Sequence, residues 1–391
     1  MLEELVSIES HSFRRDGVHR VGEVVVGLLK EAGVRIERVP RPPLDPELRW
    51  LAEVLSPEVP DEELADSFVG RRPGSDSGRV LLLGDLDTAF PPGALEDFPF
   101  ATRGDRAYGP GVADMKGGLV VLVAAVHALH ALDLEAPPLS VVLCGDEQAG
   151  SMGSRSLVER EAGQSRWCLC VECARDGGRL MSSRAHIGVG LVEAKGRGAH
   201  AGTARSAGAN AIDALVAALT AASLVDDPAG ASLVTATIVG GGTRRSMVPE
   251  LARAVLDLRC PDAAAWEALT MSLDLAVRAA VVPTGTEVRL RTAAHRPGFG
   301  PEQGAELLAT VRRVGLDIGL DLQAVPSHAA GSSSFAAASG VAVVDGMGPS
   351  GGGLMTPEES IDLRSLTQRA AVLAGVMHHL ARTDGAEAED G

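Results

Sequence analysis

The chain has 391 residues, with 36 Lys and Arg against 52 Asp and Glu for a formal charge of −16, and 45% of its residues are hydrophobic. That length is too great for one ordinary core and sets an expectation of two domains. The acidic balance, with no basic cluster standing out, argues against a nucleic-acid or anionic-membrane surface.

No apolar run is expected to approach the roughly 18 residues of a membrane span. The first residues lack a basic stretch followed by an apolar one, so no signal peptide is expected and a cytoplasmic protein is the simplest reading. Five Cys, an odd number, do not form the pattern of a disulfide framework.

Val21, Val24, Val25, Leu28 and Leu29 recur at helical spacing, which predicts a helix over His19 to Ala32 closed by Gly33. Val34 to Val39 alternates as a strand. Residues 40–77 are rich in Pro and acids and are expected to wrap the surface, with a short helix around Leu48 to Leu55.

The continuous apolar run from Val80 to Leu83 reads as a central parallel strand, and it ends in Gly84, Asp85, Leu86 and Asp87. Open α/β sheets place ligands beyond the carboxyl ends of such strands, so both carboxylates sit where chemistry is expected. Three further exits are alike. The segment Gly109 to Gly118, carrying Asp114, leads into an almost wholly apolar helix from Leu119 to Leu132. A strand from Leu139 to Cys144 runs into Asp146, Glu147 and Gln148, and another from Trp167 to Val171 delivers Glu172.

Beyond Ser183 the order changes to strands at Ile187 to Ala194, Leu233 to Val239, Leu251 to Leu258 and Val288 to Arg291, with helices at Asn210 to Leu224 and Ala263 to Val281. This predicts an antiparallel sheet backed by two helices. The α/β pattern returns with a helix near Glu302 to Val314, a Gly/Ser turn at Gly331 to Ser334, a strand at Val341 to Val344 and a last helix from Leu363 to Leu380. The expected organisation is therefore a catalytic α/β domain of residues 1–177 and 295–391, interrupted by an inserted α+β domain of residues 178–294. Residues 386–391 read as a frayed tail.

No His-Glu-x-x-His motif and no nucleophile elbow between a strand and a helix is present. Five blocks in order nevertheless carry a resemblance: Gly84 to Thr88, Gly111 to Gly118, Asp146 to Gln148, Gly198 to Gly202, and Gly351 to Glu359. The chain resembles the di-zinc amidohydrolases and exopeptidases that include acetylornithine deacetylase, succinyl-diaminopimelate desuccinylase and the glutamate carboxypeptidases. The resemblance implies a zinc-exopeptidase-like α/β domain holding two metals and an inserted α+β dimerisation domain.

It also assigns roles by position, and several positions have changed. The family has a His where this chain has Asp85, an Asp bridging both metals at Asp114, a Glu pair where this chain has Glu147 and Gln148, an acidic ligand at Glu172, and a final His where this chain has Met355. One metal would use positions 114, 148 and 355, and here an amide and a thioether replace a carboxylate and an imidazole, so that metal is not expected to bind. The other would use Asp85, Asp114 and Glu172. Three hard oxygen donors suit one Mg²⁺, Mn²⁺ or Ca²⁺; without a metal they repel one another or receive a cationic group. The expected cofactor is thus none or one divalent metal.

Glu147 matches the family's general acid/base. His200 matches the residue that reaches across a dimer to polarise the substrate carbonyl, Arg259 the Arg that holds a substrate carboxylate, and Ser246 stands where the family places an Asn. The candidate catalytic residues are Glu147, Asp87 and His200, and the candidate substrate contacts are Arg259, Ser246, His200, Asp85 and Glu172. Cys168, Cys170 and Cys173 around Glu172 read as buried core thiols, with a cysteine-assisted metal site as the alternative. The expected partners are a small amino-acid-type substrate and a second or a different subunit in a dimer, with no nucleic acid and no membrane. The expected activity is metal-independent base-catalysed chemistry on a carboxylated amino-acid amide in small-molecule biosynthesis. The alternatives are a mono-metal amide hydrolase and a non-catalytic binder.

Overall fold

The structure, a computed structural model, describes residues 1–43, 50, 64–175, 177–227, 229, 232–329 and 331–383, with the backbone alone of 384–389. The helix expected around Leu48 to Leu55 falls almost wholly outside the described residues. The chain divides into two compact units, one of residues 1–183, 301–327 and 331–391, the other of residues 184–300 and 328–330.

In the first unit Leu81, Leu82 and Leu83 are wholly buried, as a strand covered on both faces must be. Their strand, Val80–Asp85, lies inside a six-stranded sheet. In spatial order the strands are Arg35–Val39, Ser67–Arg72, Leu139–Cys144, Val80–Asp85, Trp167–Cys170 and Ala342–Val344. The last four pair in parallel, and Ser67–Arg72 runs against both its neighbours.

That antiparallel strand corrects the expectation of a surface wrap over 40–77. Phe68 and Val69 are buried, but Gly70 and two Arg follow them, so no apolar run or alternation announces the strand. Its stability comes from backbone pairing on both sides and from Arg71 donating to Glu161 at 2.6 Å. The Gly/Ser turn expected at Gly331 to Ser334 opens instead into a short helix, Ser333–Ala338.

The helix Gly117–Ala131 buries Leu119, Val121, Leu122, Ala125, Val126 and Leu129. The stretch Val112–Ala131 has a mean hydropathy of 1.7 and is long and apolar enough to cross a membrane, contrary to the expectation that no such run exists. Asp114, Lys116 and two His interrupt it and hid its length. It is 78% buried inside the unit, which is how the core helix of a two-sided sheet behaves.

In the second unit four antiparallel strands lie in the order Leu233–Gly241, Leu251–Cys260, His186–Lys195 and Glu287–Arg296. Leu251–Cys260 alternates buried and more exposed residues, the period of a sheet with one covered face. Ala211–Ser223 and Ala263–Ala279 supply that cover. Asn210 Oδ1 accepts from the Ile212 and Asp213 N–H groups and Asp262 Oδ1 from that of Ala265, which caps both helices.

One buried contact ties helix Arg15–Glu31 to the strand after it in space. His19 Nε2 accepts the Asp66 N–H at 3.0 Å, which requires a neutral ring. Burial and Arg38 push the His19 pKa below its ordinary 6.5, and Asp66 only partly offsets this. The unfolded chain therefore takes up this proton at a higher pH than the native one, and stability falls as pH drops below 6.5. His19→Gln keeps an acceptor that does not titrate, so urea denaturation should show a shallower loss between pH 6.5 and pH 5 in the variant. Equal slopes would remove His19 from the account.

Candidate active site

Register brings the acids together. Asp85 stands opposite Cys144 and Leu83 opposite Cys170, so the three central parallel strands end level with one another. Their continuations carry Asp85 and Asp87, Asp146 and Glu147, and Glu172. Asp114 joins them from the turn before helix Gly117–Ala131. Gly111, at φ +72°, makes that turn, and a Cβ on Gly118 would lie 1.9 Å from the Val171 carbonyl oxygen. Only glycine lets the helix start press against the segment that delivers Glu172.

Asp85, Asp87, Asp114, Glu147 and Glu172 are all buried. Burial pushes the Asp85 carboxyl well above its ordinary range, and Glu147, Glu172 and Asp87 push it further. Asp114 is raised likewise by burial, then by Glu172 and Glu147, while Arg175 pulls it down. Glu147 and Glu172 are thus within electrostatic reach of both Asp85 and Asp114.

Asp87 serves a different purpose. Its Oδ2 accepts from Ser12 Oγ at 2.6 Å and from the Gln148 N–H at 2.9 Å, and its Oδ1 from the Glu147 N–H at 3.0 Å. With its lone pairs directed at these donors, Asp87 holds the Glu147–Gln148 backbone in place, a positioning task. Burial pushes its pKa up to about 7.

Sequence reasoning missed four supporting residues. Ser12 is one. Ser332 Oγ donates to Asp85 Oδ1 at 2.9 Å. Glu359 accepts the N–H groups of Ala113 and Asp114 on Oε1 and that of Met355 on Oε2, tying the Asp114 turn to the last family block. Lys116 Nζ donates to the Ile8 carbonyl at 2.7 Å, and burial pushes its ammonium down to about 7. Ser332 and Glu359 lie inside stretches already singled out, but nothing in their type or spacing marked the contact.

The donor set does not fit a metal pair. Gln148 Nε2 donates to Asp114 Oδ1 at 3.2 Å, so an N–H faces the carboxylate expected to bridge two ions. Met355 is 55% exposed and offers a thioether where the resemblance expects an imidazole. Asp85, Asp114 and Glu172 remain a set of hard oxygen donors, and Asp85 Oδ2 and Asp114 Oδ2 carry no hydrogen bond among the described residues. By donor type they suit one hard cation, although no three His, Cys, Asp or Glu among the described residues are drawn together tightly enough to hold one.

The remaining predicted residues belong to the second unit. His200 Nδ1 accepts from the Gly202 and Thr203 N–H groups at 3.1 Å each, so the neutral ring carries its proton on Nε2. The Ser246 carbonyl accepts the Ala201 N–H at 2.8 Å, and His200 pairs with Met247, which sets Ser246 beside His200. Arg259 does not present an open fork. Its Nε and Nη2 donate to Asp257 at 2.7 and 3.2 Å and its Nη1 to the His328 carbonyl at 2.5 Å, so a ligand carboxylate would have to displace Asp257.

All five Cys are free and buried. Burial pushes the thiols of Cys144, Cys168 and Cys170 well up, and that of Cys173 to about 12, so none is poised as a thiolate ligand or nucleophile.

A profile of the peptidase family M20/M25/M40 matches residues 81–379, more than half of the chain. The chain belongs to that family. It is 26% identical to carboxypeptidase G2 of Pseudomonas sp. (strain RS-16) over 387 residues, covering 97% of this chain and 88% of that protein. Over 136 residues, 34% of each chain, it is 37% identical to the acetylornithine deacetylase of Myxococcus xanthus. Among solved structures, aminopeptidase PepT of Bacillus cereus superposes with a TM-score of 0.75 at 16% identity, over 97% of both chains. The M20 metallo-carboxypeptidase Sso-CP2 of Sulfolobus solfataricus gives 0.72 at 14%, over 97% of this chain and 98% of its own. These likenesses establish the M20 fold, and membership carries a peptidase- or deacylase-like activity with it.

The Asp87 network makes a direct test of how the Glu147 loop is held. In Asp87→Asn the amide N–H must face a backbone N–H whichever way it turns, because each Asp87 oxygen accepts one. The buried mismatch should cost about 1–3 kcal/mol in urea denaturation. A variant as stable as the wild type would show that the three donors do not depend on the carboxylate.

Proposed function

We propose that this M20 protein acts on a carboxylated amino-acid amide or related acyl derivative through proton transfer at Glu147, in a site that has given up the family's metal pair. The observation that carries the reading is the Gln148–Asp114 hydrogen bond. A neutral amide there removes one ligand and occupies the bridging carboxylate of another. Glu147 keeps its place, and its backbone is fixed by Asp87.

In the reaction, Glu147 Oε accepts a proton from the substrate and returns it to the departing atom. Elimination, ring closure and transfer of the acyl group to a nucleophile within the substrate all suit such a base, since none consumes water. Asp87 keeps the base oriented. His200, in the second unit, carries its proton on Nε2 and can act as a hydrogen-bond donor. Both the type of reaction and the amino-acid character of the substrate extend the peptidase or deacylase activity of the family.

A dimer is part of the proposal. Leu233–Gly241 is an edge strand with Ile238 and Val239 exposed at 49% and 64%, an apolar edge of the kind that pairs with a second chain.

A second reading has its own support. Asp85 and Asp114 are raised by neighbouring acids, and a single hard cation held by Asp85, Asp114 and Glu172 would relieve that repulsion. Such an ion supplies Lewis-acid polarisation of the acyl group, and the protein is then a mono-metal amide hydrolase.

Elemental analysis after dialysis against Mg²⁺, Mn²⁺ or Zn²⁺ and turnover of an N-acyl amino-acid panel with and without EDTA separate the two. The proton-transfer reading expects turnover that survives EDTA and falls roughly 10²–10⁴-fold in Glu147→Gln. Activity that requires one bound metal per chain, and disappears in Asp114→Ala, would replace it with the second reading. Ligand-induced stabilisation without turnover under any condition would make the protein a binder.

A further inference from the structure

The amino ends of the central strands, opposite the acids, carry a cavity of their own. Trp167 opens the strand Trp167–Cys170, whose other end delivers Glu172. Beside Trp167 lies a cavity of about 270 Å³, walled by Leu307, Thr310, Arg313, His379 and Leu380 as well. Helix Ala305–Asp317 supplies the first three of these at a spacing of three, which puts them on one face, and helix Leu363–Glu389 supplies His379 and Leu380. Trp167, Leu307 and Leu380 are buried and make an apolar floor.

Arg313 is held at this floor by an unusual partner. Its Nη2 donates to His379 Nε2, and since a guanidinium has no acceptor, the ring is neutral with its proton on Nδ1. Burial and then Arg313 itself hold the His379 pKa below 6.5. His379 therefore orients the guanidinium without balancing its charge. Among the described residues Arg313 Nε and Nη1 donate to no group, no acid lies within 4 Å of the guanidinium, and the Thr310 hydroxyl makes no hydrogen bond. Arg71 and Arg259, by contrast, are met by Glu161 and Asp257. A second guanidinium stands at the wall, where Arg166 lies 4.8 Å from the Trp167 ring centroid. A Cβ on Gly78 would lie 2.8 Å from Arg166 Cδ, so glycine lets that side chain lie down over the ring. Glu306, the acid of the cavity, is two turns before Arg313 on the same helix, about 10 Å along its axis.

We propose that this cavity is a second ligand site, for a small molecule that carries a carboxylate or phosphate group on a compact apolar body. The oxyanion takes the open N–H groups of Arg313 and the Thr310 hydroxyl, and the apolar part rests on Leu307, Leu380 and Trp167. An exposed Arg alone would simply be hydrated; this one is pre-oriented by a neutral ring beside an apolar surface, the combination that small-molecule sites share. The volume limits the ligand to about the size of a substituted benzene ring. Glu306 leaves the Arg313 end positive and disfavours a second anionic group at the far end. The site uses none of the acids at the carboxyl ends of the strands, so it stands whatever chemistry Glu147 performs.

Isothermal titration of the full-length protein with benzoate, phenyl phosphate and benzamide tests this. Benzamide keeps the ring and removes the charge, and the two anions separate a carboxylate ligand from a phosphate one. The wild type should bind at least one of the anions about 10-fold or more tightly than benzamide, in line with charge-assisted contacts. Arg313→Gln should abolish that preference and Arg313→Lys should keep part of it, because a lone ammonium cannot make the paired contact. Asp114→Asn, at the other end of the sheet, should leave it unchanged. Thermal melts establish that each variant is folded. In protein labelled with ¹³C-histidine, the His379 ring signal, assigned by its loss in His379→Gln, should shift on addition of the tighter anion. No binding of either anion, equal affinity for benzamide, an unchanged preference in folded Arg313→Gln, or a preference lost in Asp114→Asn would each overturn the proposal.

Discussion

Several carboxylates are gathered in the buried end of one sheet, and the rest of the site is arranged around that fact. Removing an ionised carboxylate from water is costly unless donors replace the lost hydration. Here the donors are backbone N–H groups and hydroxyls. Asp87 takes two N–H groups and the Ser12 hydroxyl; Glu359 takes three N–H groups; Asp85 takes the Ser332 hydroxyl. The carboxylates that are best supplied in this way hold the loops. Those left with open oxygens, Asp85 and Asp114, are the ones whose acidity is most weakened.

This division of labour would let the family fold survive the proposed loss of a metal pair. Asp87 and Glu359 fix the Glu147 loop and the Asp114 turn through backbone contacts that need no metal. The sheet and the Gly117–Ala131 helix then set the positions of the acids by register and by the close approach at Gly118. A site held by its scaffold can exchange a ligand for an amide without losing its shape. The cost falls on charge balance, not on packing.

Much of this was legible in the sequence wherever the signal was a run. The central strand, the buried helix, the acidic exits and the order of elements in the second unit all follow from apolar runs and periodicity, and the five ordered blocks pointed to the family. The Ser67–Arg72 strand was not legible, because its pairing is made by backbone groups and only Phe68 and Val69 carry an apolar signal. Contacts between residues far apart in the chain were equally hidden: Ser12 meets Asp87 across 75 positions and Glu359 meets Asp114 across 245. Arg259 shows the same limit from the other side. Its type and place on a strand suited a carboxylate anchor, but only the structure shows Asp257, two residues away, already filling the fork.

The amide at position 148 is consistent with the electrostatics around it. A Glu in that place would add a fifth carboxylate to a cluster that already raises Asp85 and Asp114, and without two cations it would be a source of repulsion. Gln148 instead donates to Asp114 and lowers the negative charge by one. Met355 adds nothing to the charge and lies largely in solvent. Position 85 runs the other way: an Asp there increases the demand for a positive group. The changes therefore do not amount to a uniform loss of ligands. They weaken one half of the site as a metal cradle and leave the other half richer in carboxylate, which is the asymmetry a single positive charge, on an ion or on a ligand, is suited to fill.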